Sequence, residues 1–101
     1  MQSGDIEIKR RDSPHGGRYE AIANDGHVIG ELLYDRTGDD VIVAKHTAVD
    51  TPHRGRGIAR CLVAKLIADA RANGDKVRPR CSFVRSQFDA HPEWGDLRLP
   101  V

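Results

Sequence analysis

Nine consecutive residues, Thr51-Pro52-His53-Arg54-Gly55-Arg56-Gly57-Ile58-Ala59, have the types and spacing to do chemistry. They join a strand pattern that ends at Val49 to an amphipathic helix pattern. The first amides of a helix have no intrahelical acceptor, and the helix dipole adds partial positive charge there. Gly55 and Gly57 have no side chain to block a ligand from those amides, and Arg54 and Arg56 add full charges. Phosphate or pyrophosphate is the guest that such a junction fits. Other phosphate loops fit less well. There is no Gly-x-x-x-x-Gly-Lys, and Gly-x-Gly-x-x-Gly fails because Arg60 stands third after Gly57. On these residues alone, a plain glycine turn ahead of a surface helix stays open as the blander reading.

Two further residues have reactive side chains in suggestive places. Cys81 follows Arg78 and Arg80 and separates a candidate fifth strand from a short helix. A helix N-terminus and nearby cations raise the thiolate fraction of a cysteine, the form that attacks a carbonyl. The alternative is a small buried apolar residue. His46 shares a row with Ile42, Ala44 and Ala48 if strand alternation is unbroken. Imidazole suits the deprotonation of an ammonium near neutral pH, although a histidine in such a row also reads as a hydrogen-bonded core residue. His15, His27, His53 and His91 fall in turns or at element ends and read as solvated. Cys61 lies off the helix stripe, with no partner at metal-ligand spacing, so no metal is expected.

The elements that must position these residues follow from periodicity. Ile6, Ile8 and Arg10 alternate with Glu7, Lys9 and Arg11, the period of a half-buried strand. Residues 12–17 read as a turn, 18–23 as a second strand, and Asn24-Asp25-Gly26 as a hairpin connection. The third strand, 27–36, carries Val28, Leu32 and Tyr34 on one face, with Ile29 and Leu33 on the other. Residues 41–49 make the fourth, and short connections make the meander antiparallel. After Asp50 the period changes. Ala59, Leu62, Val63, Leu66, Ile67 and Ala70 form one apolar stripe, so a helix is predicted over 57–73 with Gly74 as its stop. Residues 76–81 read as a fifth strand reached by a right-handed crossover, and 83–90 as a short helix capped by Ser82. Trp94, Leu97 and Leu99 are expected to pack the tail onto the sheet. The fold class is α+β: four antiparallel strands, a helix, a strand parallel to the fourth, and a last helix.

Composition sets the outer bounds. A chain of 101 residues has room for one domain, and 39% hydrophobic with 31% charged residues argues against intrinsic disorder. No apolar run approaches the ~18 residues of a membrane span. Met1-Gln2-Ser3-Gly4-Asp5 has neither the basic start nor the apolar core of a secretory leader. Two cysteines cannot build a disulfide framework, so a reduced, cytoplasmic setting is expected. The net charge of +1 conceals −4 in residues 1–50 against +5 in residues 51–101, so an anion would meet the second half.

Arg54-Gly55-Arg56-Gly57-Ile58-Ala59 resembles the Arg/Gln-x-x-Gly-x-Gly/Ala signature of the GCN5-related N-acetyltransferases (GNAT), whose loop holds the pyrophosphate of coenzyme A. The resemblance extends to a very small subgroup with three more motifs. Here they are His46-Thr47-Ala48-Val49, Cys81-Ser82-Phe83-Val84 and His91-Pro92-Glu93-Trp94, and the match covers roughly residues 31–97. The resemblance implies a GNAT-like fold and an N-acetyltransferase that uses acetyl-CoA as donor, with no metal. Arg54, Gly55, Arg56, Gly57, Ile58 and Ala59 would hold the pyrophosphate, and the backbone of His46, Thr47, Ala48 and Val49 the pantetheine arm. That strand must then splay from its neighbour. Pro79, which has no N–H to donate, fits either a gap there or an edge strand. Cys81 would face the end of the cofactor, to accept the acetyl group or guide the acceptor, with His46 beside the thioester.

The chain also departs from the family pattern. Full-size members carry helices between the first two strands, where residues 12–17 are far too few. The usual general acid, a tyrosine after the fifth strand, is replaced by Phe83 and Phe88. The acceptor amine is left unnamed, and a module that holds acyl-CoA without turnover is the alternative function. Nucleic-acid binding through Arg54, Arg56, Arg78 and Arg80 is disfavoured, since no aromatic platform accompanies them and net charge is small.

Overall fold

The computed structural model describes residues 6–101, so the leader reading of residues 1–5 lies outside the described residues. β1 (Ile6–Ser13), β2 (Gly16–Ala23), β3 (Val28–Thr37) and β4 (Val41–Val49) form an antiparallel meander. β5 (Lys76–Pro79) joins β4 in parallel, giving the sheet order β1-β2-β3-β4-β5. α1 (Ile58–Asn73) makes the crossover, and α2 (Ser82–Ala90) and a 3-10 segment (Pro92–Leu97) follow. This is the α+β order read from the sequence. Among the described residues no helix is long and apolar enough to cross a membrane.

The α1 stripe lies on the sheet. Ile58, Leu62, Val63, Leu66, Ile67 and Ala70 join Tyr19, Leu32, Tyr34, Ile42 and Val77 in one buried cluster, which Val84 and Phe88 of α2 complete. Arg10 takes the third inward position of β1 and is held there by chemistry rather than apolar contact. Its Nη1 donates to Asp69 of α1 at 3.2 Å, and its Nε to the Tyr34 hydroxyl at 3.1 Å. The Tyr19 hydroxyl donates to the same Asp69 oxygen at 2.9 Å. Burial, then that hydrogen bond, pushes the Tyr19 hydroxyl well above the ordinary phenol range, so it remains a donor. The opposite sheet face carries Lys9, Arg11, Arg18, Glu20 and Glu31, in cross-strand register.

Several boundaries differ from the sequence reading. The six-residue turn at 12–17 shrinks to Pro14-His15, because Ser13 pairs with Gly16 and its hydroxyl donates to the Gly16 carbonyl at 2.9 Å. The two faces of β3 are also redrawn. A bulge sets Ala21 opposite Gly30 and Ile22 opposite Val28, leaving Ile29 as the extra residue. Ile29 is therefore buried while Val28 is 45% exposed. β5 ends at Pro79, and Cys81 rather than Ser82 caps α2. In the tail, Leu97 is buried and the Leu99 N–H donates to Val77 of β5 at 2.8 Å, as expected. Trp94 instead stacks on His91, with ring centroids 4.0 Å apart, and meets Phe88 of α2 edge-on.

Candidate active site

β4 has a strand on both sides only as far as Ala44. Its parallel pairing with β5 runs from Val41↔Lys76 to Ala44↔Pro79 and stops. The Ala44 carbonyl then accepts from the N–H groups of both Arg80 (3.0 Å) and Cys81 (2.9 Å), which turns the chain away into α2. Beyond that point β4 keeps β3 on one side and, among the described residues, has no strand on the other. Pro79, lacking an N–H, stands where the two strands part.

A cleft of about 710 Å³ opens along this unpaired edge. It is lined by His46, Thr47, Ala48 and Val49 of β4, by His53, Arg54, Gly55 and Gly57 of the loop, by Ile58, Ala59 and Arg60 of α1, and by Phe83 and Gln87 of α2. Among the described residues no carboxylate lines it. The first α1 bond runs from the Cys61 N–H to the Gly57 carbonyl at 3.1 Å. Arg54 and Gly55 form a hydrogen-bonded turn that takes up the Arg56 N–H, but among the described residues no amide of residues 57–60 donates to another protein atom, and no side chain caps the helix. Gly55 and Gly57 have φ of 82° and 79°, the left-handed region that glycine enters without steric cost. The loop thus presents its amides because its glycines turn them outward.

The arginines divide their work differently from the sequence reading. Arg54 lines the cleft, and its Nε also donates to the Val49 carbonyl at 3.1 Å, tying the loop to the end of β4. Arg56 is not part of the lining; its Nη1 donates to His53 Nδ1 at 2.9 Å. Arg60, noted in the sequence only as a motif mismatch, folds back so that a Cβ at Gly57 would lie 3.2 Å from its Nη2. Helical side chains lean toward the N-terminus, which brings a first-turn residue over the cap. His53 and His91 are half-buried, contrary to the solvated reading. His91 Nδ1 donates to the Gln87 carbonyl at 2.8 Å, on the turn of α2 that reaches the cleft.

His46 is not in a row with Ile42 and Ala44. A bulge pairs Leu33 with His46 but Tyr34 with Ala44, so Lys45 is the extra residue and the alternation reverses there. His46 and Ala48 consequently share the charged face, both exposed, while Thr47 follows Ala44 on the helix side. Cys81 is half-buried at the N-cap of α2, and its Sγ–H donates to Thr47 Oγ1 at 3.5 Å. The hydrogen-bonding partner of Cys81 is thus Thr47, from the cleft wall, rather than His46. His53, Arg60, Phe83 and Gln87 are lining residues that sequence reasoning missed. For Arg60 the signal was present, three residues after the cap glycine. For Phe83 and Gln87 it was their i, i+4 spacing on one face of α2.

An open α+β sheet whose fourth and fifth strands part beside a glycine loop frames the site, and comparison with known proteins says which family the chain belongs to. The profile described as GCN5-related N-acetyl-transferase matches residues 18–97. The chain belongs to that family. No curated protein matches it by sequence. Among solved structures it is similar to a GCN5-like protein from Staphylococcus aureus named as an N-acetyltransferase, at 23% identity and TM-score 0.70, covering 97% of this chain and 92% of that one. It is also similar to a GNAT family acetyltransferase from Elizabethkingia anophelis with acetyl-CoA bound. That match has 17% identity and TM-score 0.62, over 73% of this chain and 63% of the other. A third is the ribosomal-protein-alanine N-acetyltransferase of Brucella melitensis biovar Abortus, at 21% identity and TM-score 0.62, over 88% and 65%. At these identities the likeness is one of fold, and the chain spans less than two thirds of the latter two enzymes.

Proposed function

We propose that the protein binds acetyl-CoA in this cleft and transfers the acetyl group to an amine. The observation that carries the reading is the row of unengaged amides at residues 57–60, flanked by Arg54 and Arg60, beside a β4 edge with no partner strand among the described residues. Charge-assisted hydrogen bonds from such amides and guanidinium groups suit a diphosphate. The free edge of residues 46–49 offers main-chain groups to the amide-bearing pantetheine arm, which would lie like an added strand. In the transfer the neutral amine attacks the thioester carbonyl, the C–S bond breaks, and CoA departs as a thiolate that takes up a proton. His46, exposed at the edge, is the candidate acceptor of the ammonium proton. Cys81, beside Thr47, either lines the path of the acceptor or takes the acetyl group on Sγ before the amine does.

Isothermal titration with acetyl-CoA and CoA tests the site. Wild type should bind both, and Gly57→Glu, which places a carboxylate in the cradle, should weaken binding by tenfold or more, on the order of 1.4 kcal/mol. No heat at millimolar ligand, or indifference to Gly57→Glu, would sink the assignment. One observation favours a second reading, binding without turnover: Phe83 lines the cleft and brings no hydroxyl to protonate the leaving thiolate. CoA release across a panel of primary amines separates the two, with mass spectrometry for an acetylated Cys81. Turnover that disappears in Cys81→Ala rejects the second reading.

A further inference from the structure

We propose that His53 is itself a phosphate-binding residue of the cleft, held in the required tautomer by Arg56 as a positioning residue. The inference rests on the acetyl-CoA reading above and adds two side-chain roles to it. Arg56 Nη1 lies 2.9 Å from His53 Nδ1. A guanidinium has donors only, so Nδ1 must accept and carries no proton. The neutral ring then has its proton on Nε2.

That leaves Nε2–H as the polar group the ring can offer, and it has no protein partner among the described residues. The ring is half-buried on the cleft wall, next to Arg54 and the unengaged amides. With no carboxylate in the lining among the described residues, the natural acceptor for this N–H is an anion brought by the ligand. The backbone beneath the ring is also fixed. The His53 N–H donates to Asp50 at 2.9 Å, the Arg54 N–H to Thr51 at 3.2 Å, and the Asp50 N–H to Ile29 of β3 at 2.8 Å. A donor anchored in this way loses little freedom when it binds a phosphate oxygen of a nucleotide diphosphate. The position of Arg56 outside the lining follows: its charge acts through the imidazole.

Two measurements test this. Long-range 15N–1H correlation spectra of the ligand-free protein should show the His53 ring protonated at Nε2 and bare at Nδ1. Arg56→Ala should mix the tautomers, and Arg56→Lys should restore the first. In CoA titrations, His53→Ala and Arg56→Ala should each weaken binding by about three- to tenfold. His53→Gln, whose amide N–H falls near the Nε2 position, should retain more affinity than His53→Asn. Because Arg56 acts through His53, the double variant should be no weaker than about twofold beyond His53→Ala alone. A ring protonated at Nδ1 in the free protein, or losses that multiply in the double variant, would overturn the proposal while CoA binding stands. A wild type that takes up no CoA would instead overturn the acetyl-CoA reading, and this inference with it.

Discussion

Gly55 and Gly57 share a left-handed backbone but have different surroundings, and the difference can be measured. Nothing lies within 4 Å of a Cβ built on Gly55, whereas at Gly57 it would meet the Arg60 guanidinium. A left-handed backbone costs an alanine about 1 kcal/mol at either position. Gly55→Ala and Gly57→Ala should therefore lower the denaturation midpoint similarly. Only Gly57→Ala should add a loss of CoA affinity through displacement of Arg60, about threefold or more if a charge-assisted contact is weakened. Chemical denaturation with titration calorimetry on both variants checks this, and equal affinity losses would mean that Arg60 plays no part in the site. At this scale much was legible. Val49, Arg54, Gly55, Gly57, Ile58 and Ala59 line the cleft as their types and order suggest. The partners of arginines were not legible, because a long side chain on a loop can turn either way and only the folded neighbours decide. Arg56 turned to His53, and Arg60, on the helix, turned back over its cap.

The strands were legible from alternation, and the two places where the reading failed are the two bulges. One extra residue reverses every side chain beyond it. At β3 the adjacent apolar pair Val28-Ile29 hid the slip, because either residue could face the core. At β4 the slip left a trace: three consecutive buried residues, Ile42, Val43 and Ala44, are followed by two exposed polar ones, Lys45 and His46. This bulge falls where the pairing with β5 ends, so both edges of β4 change character within one residue. The gap has a signature in amide exchange. In residues 46–49 the amides aimed away from β3 should exchange fast in the free protein, while those aimed at β3 should be slow. In residues 41–44, bonded on both sides, slow exchange should be general. Acetyl-CoA should slow the fast set at least tenfold as the pantetheine arm pairs with them. Uniformly slow exchange before ligand is added would show that the strands do not part.

Among the described residues, α1 and α2 gather on one side of the sheet, and the two-residue link Pro14-His15 supplies no helix between β1 and β2 to cover the other. That face is charged for a physical reason: an open antiparallel sheet face must satisfy its side chains in water and with one another. Glu20 stands at its centre, 8% exposed, accepting from Arg18 Nε at 2.7 Å and Arg11 Nε at 3.2 Å. The Arg18 hydrogen bond foremost, with help from Arg11 and against the cost of burial, lowers the Glu20 carboxyl below its ordinary value. A carboxyl depressed in the folded state stabilises fully above its unfolded pKa of about 4.3, and that contribution is lost as pH falls through the lower folded value. The stability difference between wild type and Glu20→Gln should therefore hold steady from about pH 8 to about pH 5 and close on further acidification. Added salt should narrow the neutral-pH difference, because both arginine partners are about half exposed and within reach of screening ions. Urea denaturation of the two proteins across that range reads the effect. A difference that persists unchanged to about pH 2 would mean that Glu20 supports the sheet by packing, with its charge incidental.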